Sequence, residues 1–88
     1  MDSTAEVLDV QERLVIASST GRVQLPPEST RAVEGEYVLS GEPLASVRRG
    51  DGWSVPVETA FSGWVMGYLV MDGAPIVPGE PVAWLRVV

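Results

Sequence analysis

The sequence predicts an all-β domain made of two similar halves. Three observations support this. Nine glycines and seven prolines cut the chain into apolar runs too short for most helices but long enough for strands. Those runs are rich in β-branched and aromatic residues, which fit a pleated, half-buried surface. Two blocks of sequence also recur about forty residues apart. With 88 residues the chain can build one small core, not two.

In chain order, strands are expected over residues 14–17, 22–25, 37–39, 44–48, 53–58, 63–70 and 82–88. The one helix expected lies at the start, where Ser3 and Glu6 have capping-box spacing ahead of Val7 and Leu8. Residues 25–35 contain Pro26-Pro27 and are expected to form the longest loop, exposed because consecutive prolines cannot donate to a ladder.

The repeat orders these elements. Thr20-Gly21-Arg22-Val23 matches Ser62-Gly63-Trp64-Val65, an offset of 42. Residues 34–45, which hold Glu34-Gly35 and Gly41-Glu42-Pro43, match residues 72–83, which hold Asp72-Gly73 and Gly79-Glu80-Pro81, an offset of 38. The four extra residues of the first half fall in the Pro-Pro loop, where insertion costs only loop-closure entropy. Each half is too small to bury its own apolar face, so the two must pack together.

Composition narrows function by exclusion. Six arginines against twelve acids give a net charge of -6, which opposes nucleic acid and anionic lipid. No apolar run is long enough for a membrane-spanning helix, and acids interrupt the first seventeen residues where a secretory signal would need an apolar core, so a cytoplasmic location is expected. Cysteine and histidine are absent, which removes disulfides, thiol nucleophiles, the commonest general base and the commonest metal ligands. No metal site is expected, and no enzymatic chemistry. Glu28, Glu34, Glu36 and Glu42 are expected to be solvated loop charges.

An acidic-Gly turn, a few residues, Gly-Glu-Pro and an apolar strand, occurring twice, resembles the biotinyl/lipoyl carrier domain family, of the biotin carboxyl carrier type. The likeness covers residues 12–88 and is closer in the second half, over 57–65, 69–73 and 79–85. It implies a flattened β-barrel, or barrel-sandwich hybrid, of two quasi-symmetric half-repeats, about 12–48 and 53–88, joined by a hairpin at 48–53 and preceded by an N-terminal extension over 1–11. In the family that hairpin carries the modified lysine. Here it reads Arg48-Arg49-Gly50-Asp51-Gly52-Trp53, the attachment position falls near Asp51 and Gly52, and the chain contains no lysine. No side-chain amine is present to form the amide with biotin or lipoate, so no cofactor is expected. Asp2-Ser3-Thr4 lacks the leucine that follows a phosphopantetheine serine.

Each candidate residue has a simpler alternative. Gly50-Asp51-Gly52 supplies the positive φ angles of a tight turn. That leaves Arg48, Arg49, Asp51 and Trp53 as candidate partner contacts, since arginine and tryptophan are enriched in binding hot spots; the alternative is that Trp53 points into the core. Arg49-Gly50-Asp51 matches the integrin triplet, a match of three residues with no secretion signal beside it. Strict alternation places Trp64, Met66 and Tyr68 on one face and Val65, Gly67 and Leu69 on the other. If Val65, Leu69 and Val82 build the core, Trp64 and Tyr68 form an aromatic strip for a partner; the alternative is that both faces are partly covered.

The function these features imply is a non-enzymatic, unmodified carrier-like protein. It would act through protein contacts as an accessory or degenerate subunit of an acyl-CoA carboxylase-type or related biosynthetic assembly, with a biotin-dependent carboxylase as the expected partner. The rival reading is a small-ligand-binding protein, or a cryptic enzyme, using the groove between the halves. Likeness to the lipoyl-like part of membrane-fusion adaptors is set aside because no long helical arms accompany it. Exposed outer strands leave strand addition open as a route to a homodimer.

Overall fold

A computed structural model describes residues 11–87; the expected helix at Ser3 lies outside them. Eight strands form: β1 (Gln11–Ile16), β2 (Gly21–Gln24), β3 (Tyr37–Val38), β4 (Pro43–Arg48), β5 (Ser54–Glu58), β6 (Gly63–Tyr68), β7 (Pro75–Ile76) and β8 (Pro81–Val87). They make two antiparallel four-stranded sheets, ordered β1-β8-β6-β3 and β5-β4-β2-β7. The sheets are separate rather than a closed barrel. Advancing each strand label by four converts one sheet order into the other, so the half-repeat in sequence is a pseudo-twofold axis in space.

Seven of these strands are expected from the sequence, and β7 is not. Pro75-Ile76 is two residues long and begins at a proline, so it resembles a turn; it becomes a strand by pairing with Gly21 and Arg22 of β2. Among the described residues, no helix is long and apolar enough to cross a membrane.

The core follows the same symmetry. The buried apolar residues are Val15, Ala17, Val23, Val38, Leu44, Ala45, Val47, Val57, Val65, Ile76, Val82, Ala83 and Leu85, and Thr59 is the buried polar residue among those described. Shifted by 42 or 38, every one has its mate in the set: Val15 with Val57, Ala17 with Thr59, Val23 with Val65, Val38 with Ile76, Leu44 with Val82, Ala45 with Ala83, Val47 with Leu85. Thr59 is accommodated where its mate is alanine because its hydroxyl donates to the Phe61 carbonyl (2.6 Å) and accepts the Phe61 N–H (3.0 Å).

Hydrogen bonds interlock the halves. The Gly35 N–H donates to the Val65 carbonyl (2.8 Å), and the Gly73 N–H to that of Val23 (2.7 Å). Gly41 N–H donates to Thr59 (2.7 Å), and Gly79 N–H to Ala17 (2.9 Å). In each case the turn of one half satisfies a carbonyl in a strand of the other half or one residue past its end. Gly35, Gly41, Gly73 and Gly79 all have φ between 84° and 94°, a region costly for residues with a Cβ. Glu42 and Glu80 are not idle solvated charges: their Oε1 atoms accept the N–H of Leu39 (3.0 Å) and Val77 (2.8 Å), closing the two Gly-Glu-Pro turns.

Residues 25–35 form the expected loop, mostly exposed, with local structure inside it. Thr30 and Arg31 donate their N–H groups to the Pro27 carbonyl, both at 2.9 Å, in a single helical turn. This turn brings the Arg31 guanidinium to 5.9 Å from the Tyr68 ring centre, and Leu25 and Ala32 pack on the core.

Candidate functional site

The joining hairpin forms where the sequence places it, between β4 and β5, which pair from Pro43 with Glu58 through to Arg48 with Ser54. At its tip the Arg49 N–H donates to the Trp53 carbonyl (2.8 Å) and the Gly52 N–H to the Arg49 carbonyl (3.0 Å). Gly52 takes the positive φ, 91°; Gly50 does not, so the expected pair of left-handed glycines reduces to one. Asp51 organises the tip further, with one carboxylate oxygen accepting the Trp53 N–H (3.0 Å) and the other 2.9 Å from Arg49 Nη2.

These bonds turn Trp53 away from the core. Trp53 is 71% exposed, which excludes the alternative that it is a core residue. Arg48, Arg49 and Asp51 are exposed beside it. The structure therefore brings all four candidate tip residues to one end of the second sheet.

The proposed aromatic strip does not form. β6 pairs with β8 through Trp64–Arg86 and Val65–Leu85, then shifts by one residue so that Gly67 faces Trp84 and Tyr68 faces Ala83. A bulge at Met66 thus reverses the alternation after Val65. Trp64 points outward, while Tyr68 turns toward the core and donates its hydroxyl to the Leu44 carbonyl (2.9 Å). Burial raises the Tyr68 pKa above 10.0, opposed by Arg31 and reinforced by Glu36. Leu69 is displaced from its expected core position and is 49% exposed; Val65 and Val82 are buried as expected.

Trp64 instead meets a residue outside the expected strip. Tyr37, its partner across β3 and β6, lies edge-on to it with ring centres 4.9 Å apart and planes at 72°. On the same outer face Arg86 stands between Trp64 and Glu12, 3.8 Å from the Glu12 carboxylate and 6.0 Å from the Trp84 ring centre. Among the described residues, no three His, Cys, Asp or Glu side chains group as metal ligands.

No family model matches this sequence, and no curated protein matches it. Its structure does resemble solved ones. The urea carboxylase of Kluyveromyces lactis superposes with a TM-score of 0.70 over 85% of this chain at 24% identity. The fold is the biotinyl/lipoyl-like barrel-sandwich. The chain corresponds to 6% of that carboxylase, so the likeness concerns one small domain of a far longer polypeptide.

Proposed function

We propose that this protein is a carrier-domain scaffold used without a covalent prosthetic group, acting by protein contact as an accessory or degenerate carrier subunit of a carboxylase-type or related biosynthetic assembly. The observation that carries this reading is the hairpin tip. In the family that the sequence resembles, this turn presents the modified lysine; here the same turn holds an outward tryptophan braced by the Arg49–Asp51 pair. The structural likeness to a carboxylase supports the choice of assembly. The space between the sheets is taken by seven symmetry-related pairs of side chains, which favours surface contact over a ligand in the groove between the halves.

Trp53 supplies apolar area and the arginines supply forked donors for carboxylates. The test is a titration of the protein against biotin-dependent carboxylase components from its own cell. Trp53→Ala and Arg49→Ala are expected each to weaken binding about 10-fold or more, as hot-spot truncations do. Unchanged affinity in both variants would exclude the tip as the contact.

A further inference from the structure

The pseudo-twofold axis allows the two outer sheet faces to be compared position by position. On the first sheet Arg86 lies across from Trp64 on one side and Glu12 on the other, and Glu12 supplies its counter-charge. The equivalents on the second sheet, at the same offsets of 42 and 38, are Arg48 for Arg86, Arg22 for Trp64 and Ser54 for Glu12. Arg48 therefore has a second arginine directly across one strand boundary and a serine across the other. The acid is gone, and a like charge has been added.

Like charges directly opposite on neighbouring strands repel. No carboxylate of the described residues lies within ion-pairing distance of Arg22 or Arg48. Asp51 pairs with Arg49 and accepts the Trp53 N–H, while Asp72, which lines an adjacent depression with both arginines, accepts the Leu25 N–H (2.9 Å) and forms no ion pair with either. Two of the six cations of an otherwise acidic chain thus occupy paired positions on adjacent strands with no ion-pair partner among the described residues.

The surroundings suit an anion. Arg22 donates one N–H to the Gly73 carbonyl (3.0 Å), which fixes its guanidinium and leaves other donors of its fork free. Arg22 and Arg48 border a surface depression of about 450 Å³ that also takes in Thr20, Arg49, Gly50 and Pro75. Ser18 and Ser19 line an adjoining one. Guanidinium forks match the paired oxygens of phosphates and carboxylates.

We infer that Arg22 and Arg48 form a binding site for a doubly charged oxyanion, a phosphate or a small dicarboxylate, seated in the depression over β4, β2 and β7. The site shares Arg48 with the hairpin tip but goes beyond protein contact there. Its test contains no partner, so it fails or succeeds separately from that proposal.

The whole chain is titrated with inorganic phosphate and with succinate, against sodium chloride at matched ionic strength, and followed by amide chemical shifts and thermal melting. Saturable shifts are expected around Gly21, Arg22 and 47–50, with a rise in Tm. A response to phosphate alone assigns a tetrahedral dianion, one to succinate alone a dicarboxylate, and one to both a general dianion site. Arg48→Gln and Arg22→Gln each abolish the response. Arg48→Gln also raises the anion-free Tm by roughly 1–5 °C by removing the repulsion. Arg86→Gln, on the other face, leaves the response intact. Absence of any saturable change in the millimolar range, or a response that survives in both Arg22→Gln and Arg48→Gln, overturns the site.

Discussion

Where the first sheet sets Trp64 and Tyr37 beside an arginine and its acid, the second sets two arginines beside a serine. Beneath these surfaces the interior is close to a copy of itself, valine under valine and alanine under alanine. The contrast separates two demands on one sequence. Inward positions must fill the same space twice, and the pseudo-twofold constrains them. Outward positions are free of that constraint, so their differences point to use rather than to folding.

Variants of the glycines where strands cross test the inner equivalence most severely. A Cβ at Gly21 would overlap the Arg48 carbonyl oxygen, and one at Gly63 would lie 2.7 Å from that of Arg86. Gly21→Ala is expected to destabilise by about 3 kcal/mol and Gly63→Ala by about 2 kcal/mol, measured by urea unfolding. Full tolerance of either would show that the axis relates sequence without relating energetics.

A smaller effect tests where the halves diverge. β6 continues past its bulge to deliver Tyr68, whereas its equivalent β2 ends at Gln24. Tyr68→Phe loses the hydrogen bond to Leu44 and is expected to cost about 1 kcal/mol at neutral pH. The folded-state pKa is raised, so the neutral phenol contributes fully below pH 10.0, and that contribution fades as pH climbs through the higher folded value. The wild type should therefore lose stability above pH 10 more steeply than Tyr68→Phe, and an identical alkaline slope would contradict the buried placement of this side chain.

The smallest effect contrasts neighbours within the tip. Gly52→Ala forces a side chain into the left-handed region and should cost about 1 kcal/mol. Gly50→Ala, with open space and no positive φ, should stabilise by about 0.5 kcal/mol through the unfolded chain. Equal responses in thermal melts would mean that the turn is assigned to the wrong glycine.

The repeat offsets made much of the fold legible in the sequence, since each core residue has its mate at 42 or 38. β7 was not legible, because nothing local distinguishes Pro75-Ile76 from a turn; its strand character comes from β2. The bulge at Met66 had a signal, an isolated glycine at position 67 inside a strand pattern, which strict alternation overrode. The tip was located by the resemblance, but the exposure of Trp53 depends on hydrogen bonds within the turn. Arg22 was within reach as well: it stands 42 residues before Trp64, and comparing surface positions across the repeat would have singled it out.

The β4–β5 hairpin has a counterpart under the axis. Arg48 and Ser54, which flank its turn, map to Arg86 and Glu12, and β8 and β1 run antiparallel there with Gln11 beside Val87. The turn thus joins one of two equivalent pairs of strand ends. Copying Arg49 to Trp53 between Arg86 and Glu12, and opening the chain at Gly50, is expected to give a circular permutant that encodes the halves in reverse order and keeps the strand pairings, checked by its thermal melt and amide spectrum. Such a permutant would separate order along the polypeptide from order in space, and a tip grafted between Arg86 and Glu12 would give one small scaffold two such turns.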